Sequence, residues 1–248
     1  MSKENTLVSI ITPCFNSEKT IRKTIESVIN QSYKNIEYII IDGGSVDNTL
    51  SIINEYSSCH PNITVVSEKD YGVYDAMNKG IHRSSGKLIG IINADDWYEE
   101  DAVEKIVKNY EYEKYAVLYG FSRYWKNGLE EKIVLFSHNN LENQMISHPA
   151  AFVTTETYKD YGLFDLKYRS SSDYDFMLRM KRNGVKFIPV YELVANFTLG
   201  GLSSGYVGVI ETAEILCKNG IITNKRLVAT KIKVFVHKLY KKMKGRNL

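Results

Sequence analysis

Two carboxylates, Asp95 and Asp96, stand side by side just after the apolar run Leu88-Ile89-Gly90-Ile91-Ile92. A short apolar run ending in polar residues reads as a buried strand. Adjacent acids where such a strand emerges repel each other unless a cation or an array of donors occupies the site. Hard divalent cations take oxygen ligands, and Mg²⁺ or Mn²⁺ typically joins one or two carboxylates to substrate phosphates. The segment Asn93-Ala94-Asp95-Asp96 therefore points to chemistry on a phosphorylated substrate. A solvated turn with Asp96 capping the next helix is the structural alternative.

The elements that would position these acids follow from periodicity. Leu7–Thr12 is a β-type run stopped by Pro13, and Ile21, Ile25, Val28 and Ile29 then follow at helical spacing. Tyr38–Ile41 is a second strand, Asp47 to Tyr56 a helix, Ile63–Val66 a third strand and Leu88–Ile92 a fourth. Strands alternating with helices imply βαβ units and a parallel sheet, and near-continuous apolar strands fit a sheet covered on both faces. Such sheets bind ligands beyond the carboxyl ends of their strands. The polar clusters at 13–18, 42–47, 67–75 and 93–96 all fall at those ends. Further along, Ala116–Phe121, Ile133–Phe136, Val185–Val190 and Leu193–Thr198 read as strands, with a helix opening at Asp173-Tyr174-Asp175 and running to Arg182. Gly200–Gly205 reads as a mobile loop.

Composition excludes several classes. With 248 residues, 44% apolar and 25% charged, the chain has material for a globular core, and four prolines leave little room for long linkers. Cys14, Cys59 and Cys217 have no CxxC spacing, which argues for a reducing compartment over a disulfide framework or zinc site. The apolar stretch near the N-terminus, about six residues, is too short for a signal peptide or a membrane span, so a cytoplasmic protein is expected. The dinucleotide fingerprint GxGxxG and the zinc motif HExxH are absent, and Gly80 with Gly86-Lys87-Leu88 misses the P-loop by one residue and lacks its Ser/Thr.

Five segments, in order, resemble the family 2 glycosyltransferases of the GT-A fold, with bacterial polysaccharide, O-antigen and colanic-acid enzymes as the nearest subgroup. They are Ile11-Thr12-Pro13-Cys14-Phe15-Asn16, Gln31 to Glu37, Ile41-Asp42-Gly43-Gly44-Ser45-Val46-Asp47-Asn48-Thr49, Glu68 to Gly80, and Asn93-Ala94-Asp95-Asp96. The resemblance covers about residues 6–205. It implies a Rossmann-like, mainly parallel central sheet flanked by helices. It also implies a nucleotide-sugar donor, UDP-linked by preference, a saccharide acceptor and a divalent metal, Mn²⁺ or Mg²⁺.

Carried over position by position, Pro13, Phe15 and Asn16 would line the base and ribose pocket, with Phe15 stacking on the base or else lying in the core. Asp42 would accept the uracil imide N–H. Gly43 and Gly44 would allow close backbone approach, while Ser45 would cap the next helix. Lys69 and Asp70 would approach ribose or phosphate, and Tyr74, Asp75, Asn78, Asn93 and Asp96 the donor sugar. Lys79 reads as a surface residue. The family's Asp-x-Asp motif has Asn93 in its first position here, so Asp95 is the metal ligand. An inverting transferase needs a general base, which the family takes from a late Glu-Asp pair at a helix start. Ser172-Asp173 occupies that place, making Asp173 the candidate base or a plain N-cap, with Asp175 in reserve. His148 would touch acceptor or pyrophosphate, or be structural. A sugar nucleotidyltransferase is the first alternative, but Thr12–Glu18 has no glycine for that class's phosphate loop. A catalytically silent nucleotide-binding subunit is the second.

The net charge of +3 hides an asymmetry: of 32 basic residues ten lie between Lys218 and Arg246, leaving 22 against 29 acids before them. No acid follows Glu214. A chain-wide nucleic-acid footprint is therefore not expected. In the tail, Val228, Ile232, Phe235, Leu239 and Met243 form one helical stripe, with Lys231, Lys238, Lys241 and Lys242 mostly off it. A basic amphipathic helix without acids suits a membrane surface and a lipid-linked acceptor; packing on the domain or a second subunit is the alternative. The expected division is a catalytic domain over 1–215, with a nucleotide-binding half at about 6–100 and an acceptor half at about 101–205. A basic amphipathic helical tail over 216–248 follows, resting on the cytoplasmic face of the inner membrane.

Overall fold

The computed structural model describes residues 5–200 and 205–244, and side chains as far as residue 241. Most of the Gly200–Gly205 loop and the side chains of Lys242 and Met243 thus lie outside the described residues. Strands β1 (Val8–Cys14) and β2 (Ile36–Asp42) are almost wholly buried. Successive side chains leave a strand on opposite faces, so a continuous isoleucine run feeds two cores. Ile10 and Ile40 pack with Ile25 of α1 (Ile21–Ile29), Ile53 of α2 (Thr49–Ser57) and Ile106 of α4 (Ala102–Asn109). Ile11, Ile39 and Ile41 pack on the other face with Met77 of α3 (Val73–Arg83). The same core takes Tyr158 of α5 (Thr155–Tyr161), Phe176 of α6 (Ser172–Arg182) and Ile215 of α7 (Tyr206–Lys218).

The sheet runs β3-β2-β1-β4-β8-β6-β9-β5, with β7 paired to β6. Its first four strands, β3 (Ile63–Ser67), β2, β1 and β4 (Leu88–Ile91), are parallel as expected. Beyond them the sheet is mixed. Strand β8 (Ala151–Thr154) is antiparallel to both β4 and β6 (Ala116–Lys126). Strand β6 pairs parallel with β9 (Lys186–Thr198) and antiparallel with β7 (Leu129–Val134). Strand β5 (Trp97–Tyr98) closes on β9, with Trp97 opposite Asn196.

Several expected boundaries move. Pro13 does not end β1: it stays in register with Ile41, at a point where pairing with β4 has already ended at Ile11, and proline is tolerated on a free strand side. The strands expected at Val185–Val190 and Leu193–Thr198 are one strand, β9, whose register on β6 shifts between Tyr119 and Ser122 to absorb the polar interruption. The strand expected at Ile133–Phe136 begins earlier, because Asn127 and Gly128 both take positive φ (51° and 78°) and turn a hairpin. The proposed 215/216 division falls inside α7, where Ile215 is fully buried.

Asn78 illustrates how α3 is fixed. Its amide donates to the Phe164 carbonyl (2.9 Å) and accepts from the Phe164 N–H (3.1 Å), both in the interior. Asn78→Ala would strand two buried backbone groups, a cost on the order of 2–4 kcal/mol in denaturant unfolding. Nucleotide affinity per folded molecule should hold, since Asn78 does not face the cavity described next.

Candidate active site

A cavity of ≈ 970 Å³ opens beyond the carboxyl ends of β1 and β4. Of the residues expected from sequence, it brings together Pro13, Phe15, Asn16, Asp70, Tyr74, Asn93, Asp95, Asp96, His148 and Asp173. It does not include Asp42, Gly43, Gly44, Lys69, Asp75, Asn78 or Asp175.

One wall is two loops sewn together. Asn16, at φ 49°, donates from its N–H to Ser45 Oγ (2.8 Å) and accepts the Val46 N–H on its side chain (2.9 Å). Asp42 is fully buried, and its carboxylate accepts from Ser45 Oγ (2.5 Å) and Ser67 Oγ (2.6 Å). Its oxygens are spent on holding the loop, which corrects the expectation that Asp42 reads the uracil imide. Ser45 is likewise occupied with Asp42 and Asn16 instead of capping α2. Gly43 lies against the Asp70 carboxylate, which a Cβ there would displace, and Gly44 takes φ +82°. Phe15 is 57% exposed with its ring on the cavity, so the core alternative fails and a face is left for a base to stack on.

Two of the expected donor contacts are structural, and a third lies outside the cavity. Lys69 is exposed, and its backbone carbonyl accepts from Lys79 Nζ (2.9 Å). Asp75 accepts the Tyr71 N–H (3.1 Å) and pairs with Lys79 (3.4 Å), closing the entry to its own helix. Asn78 clamps Phe164, as above. Lys79 is also less of a surface residue than expected, being partly buried between Glu68 and Asp75.

At the end of β4 the two acids divide their roles. Asp96 is 1% exposed; its carboxylate accepts the Thr198 N–H (2.8 Å) and the Asn93 side-chain N–H (3.2 Å). Its carbonyl accepts from Thr24 Oγ1 (2.7 Å). Burial, and then the charge of Asp95, hold its carboxyl well above the ordinary range. Asp96 thus ties the loop to the end of β9. Asp95 is only half-buried and faces the cavity, with its carboxyl raised by burial. Beside it the Asn93 Oδ1 is buried without a hydrogen-bond partner. An orphaned oxygen next to a partly desolvated carboxylate suits a hard divalent cation. Among the described residues no three or more His, Cys, Asp or Glu gather in a group that could hold a metal ion.

Across the cavity, Asp173 sits at the start of α6. Its Oδ1 accepts the Tyr74 hydroxyl (2.8 Å) and the Tyr174 N–H (2.9 Å). Burial, then the Asp173 charge, raise the Tyr74 phenol, which therefore stays protonated and donating. His148 is partly buried with its ring 5.9 Å from Phe164, and burial lowers its pKa against the pull of Asp173. A neutral imidazole can hydrogen-bond a hydroxyl but offers no charge to a pyrophosphate. Asp175 is buried and paired with Lys218 (3.2 Å) and Arg179 (3.8 Å), which removes it as a reserve base. Lining residues missed from sequence include Arg169, Tyr124, Phe197 and Thr198. Arg169 is exposed, and the N–H groups of Arg169 and Ser170 are held by the Glu211 carboxylate (2.8 Å each). Only its position just upstream of the acidic helix start could have marked it.

A parallel half-sheet continued by a mixed half, with a cavity across the junction, is the GT-A architecture. Residues 9–183 match the family described as glycosyl transferase family 2, and the chain belongs to that family. It is 31% identical to a chondroitin synthase of Escherichia coli over 186 residues, 72% of this chain and 27% of that protein. It therefore spans about a quarter of that relative's length. Among solved structures, Staphylococcus aureus TarS residues 1–349 with UDP superposes at TM-score 0.68, with 19% identity, over 88% of this chain and 66% of that one. The Pyrobaculum calidifontis mannosyltransferase with GDP-Man and Mn²⁺ superposes at TM-score 0.71, with 16% identity, over 93% and 70%.

Proposed function

We propose that this chain is a glycosyltransferase that inverts the anomeric centre of a nucleotide-sugar and extends a lipid-linked saccharide in bacterial surface polysaccharide synthesis. The observation that carries the reading is one cavity holding both the Asn93–Asp95 oxygen pair and the Tyr74–Asp173 pair. The first suits the diphosphate end of a donor, the second the hydroxyl of an acceptor. The likeness to a chondroitin synthase supports a polysaccharide product. UDP is the preferred nucleotide because the neighbour TarS is solved with it; with Asp42 buried, no uracil-reading carboxylate adds to that preference.

Phe15 would stack on the base, and Arg169 would face the phosphates. Asp95 and Asn93 would hold the divalent cation, which when bound supplies charge neutralisation to the departing diphosphate. Asp173 would take the acceptor proton as the hydroxyl oxygen attacks the anomeric carbon; the bond from that carbon to the diphosphate oxygen breaks, leaving its electrons on the phosphate. His148 would orient the acceptor through a hydrogen bond. The basic tail and the sparse, unpaired cysteines support a place on the cytoplasmic face of the inner membrane.

Calorimetric titration with UDP, GDP, CMP and dTDP, with and without Mn²⁺, tests this. UDP binding that strengthens with Mn²⁺ is expected. Tighter binding of GDP would move the donor class, and no binding by any nucleotide would sink the reading.

A further inference from the structure

Helix α8 (Asn224–Lys244) is amphipathic in sequence, yet it does not pack its apolar stripe on the protein. It meets α7 through another face. Val234 is buried and Leu227 and Thr230 are partly so; Lys231 pairs with Glu214 (2.7 Å), and the His237 ring lies 5.7 Å from that of Tyr206. The stripe residues Val228, Ile232, Phe235 and Leu239 are 45–62% exposed. At about 100° per residue the two sets centre roughly 140° apart around the helix. This settles one alternative, because the stripe is turned away from the chain's own core. A contiguous row of exposed large apolar side chains marks an interaction surface.

We infer that this outward face of α8 docks onto an anionic lipid bilayer. Charge selects the occupant. No Asp or Glu follows Glu214, while Lys225 borders the stripe on one side, Lys231 and Lys238 stand between it and α7 on the other, and Arg226, Lys233 and Lys241 add to the positive charge of the helix. A second copy would bring like charges together. An anionic headgroup layer offers the opposite charge, and long lysine stems reach it while the stripe enters the acyl boundary. Among the described residues no helix is long and apolar enough to cross a membrane, so α8 lies on the surface. The platform beneath it is tied to the active site: Lys218 of α7 pairs with Asp175 of α6, and Glu211 holds the backbone of Arg169 and Ser170. Docking would thereby hold the cavity in a set relation to the membrane.

The inference deepens the membrane part of the functional reading and rests on it only there. Vesicle flotation of the full chain is read without donor, acceptor or metal, so its failure would leave the transferase chemistry standing. The chain should float with phosphatidylcholine–phosphatidylglycerol vesicles, not with phosphatidylcholine alone, and high salt should release it. Phe235→Ser/Leu239→Ser should cut partitioning about tenfold or more with unchanged circular dichroism and Tm, since neither side chain is in the core. Lys225→Gln, which removes the charge bordering the stripe, should weaken it too. Absence of flotation, or equal flotation by the apolar double variant, would overturn the inference. So would a wild-type dimer in light scattering that the double variant converts to monomer, which would assign the stripe to a second copy.

Discussion

Asp95→Asn should slow sugar transfer by orders of magnitude and leave the protein folded. The carboxylate faces the cavity beside an orphaned amide oxygen and takes little part in holding the loop together. That work falls to Asp96, through Thr198 and Asn93, and to the Asp95 carbonyl, which accepts from Thr198 Oγ1 (2.6 Å). The substitution keeps the shape and the backbone contact and removes only the charge. A divalent ion is worth several kcal/mol at a developing phosphate charge, so turnover should fall on the order of 10²–10⁴-fold. In calorimetry the enhancement of nucleotide binding by Mn²⁺ should vanish, with affinity dropping to that of the wild type in a chelator. Thermal stability should match or exceed the wild type, because a partly desolvated carboxylate is no longer held without a counter-charge. Asp96→Asn provides the contrast: it changes a buried network and should lower Tm. If Asp95→Asn retained metal-enhanced binding, the ion would have to be placed elsewhere.

The parallel half of the fold was legible because its signal is local. Ile10, Ile40 and Ile89 sit in runs too apolar for anything but strands buried on both faces. The strand-end rule then collected Phe15, Asn16, Asp70, Asn93 and Asp95 around one cavity without any contact being known. The mixed half was less legible because its pairings are long-range. Nothing near Thr198 announces that β9 will close over Asp96, more than a hundred positions earlier. The Asn127-Gly128 hairpin, by contrast, carried a readable turn signal that the apolar pattern at Ile133 overshadowed. Asp42 failed for a different reason. Residue type and position at a strand end say that a carboxylate is present, but not whether its lone pairs are spent on Ser45 and Ser67. Asp175 and Asn78 failed in the same way, since their partners Lys218 and Phe164 are distant in sequence. In this chain, many of the residues that line the cavity were found by motif, and the division into those that face it and those that hold the frame needed the tertiary partners.

Asp173→Asn should lower the rate of transfer by about 10²–10⁴-fold, the usual contribution of a positioned base, with nucleotide affinity unchanged. The position fits: Asp173 lines the cavity on the wall opposite the Asn93–Asp95 oxygens, at a helix start where its carboxylate is held by the Tyr74 hydroxyl and the Tyr174 N–H. A plain N-cap would need neither the cavity face nor a tyrosine from α3 across the cleft. The N-cap of α6 is Ser171, whose carbonyl already accepts the Asp175 N–H (3.1 Å). Tyr74→Phe separates the two accounts. If Tyr74 acts by orienting the base, its loss should slow transfer by on the order of tenfold in wild-type background and have almost no further effect on Asp173→Asn. Residues that work as one unit behave non-additively in this way. If the two substitutions multiplied, Tyr74 would touch substrate on its own account. If Asp173→Asn cost only stability, with turnover per folded molecule preserved, Asp173 would be a structural carboxylate; the proton would then have to pass to His148, whose burial favours the neutral imidazole. Rates measured against pH in the Asp173→Asn protein distinguish that route, because the acidic limb would then follow an imidazole and move from the carboxylate limb of the wild type.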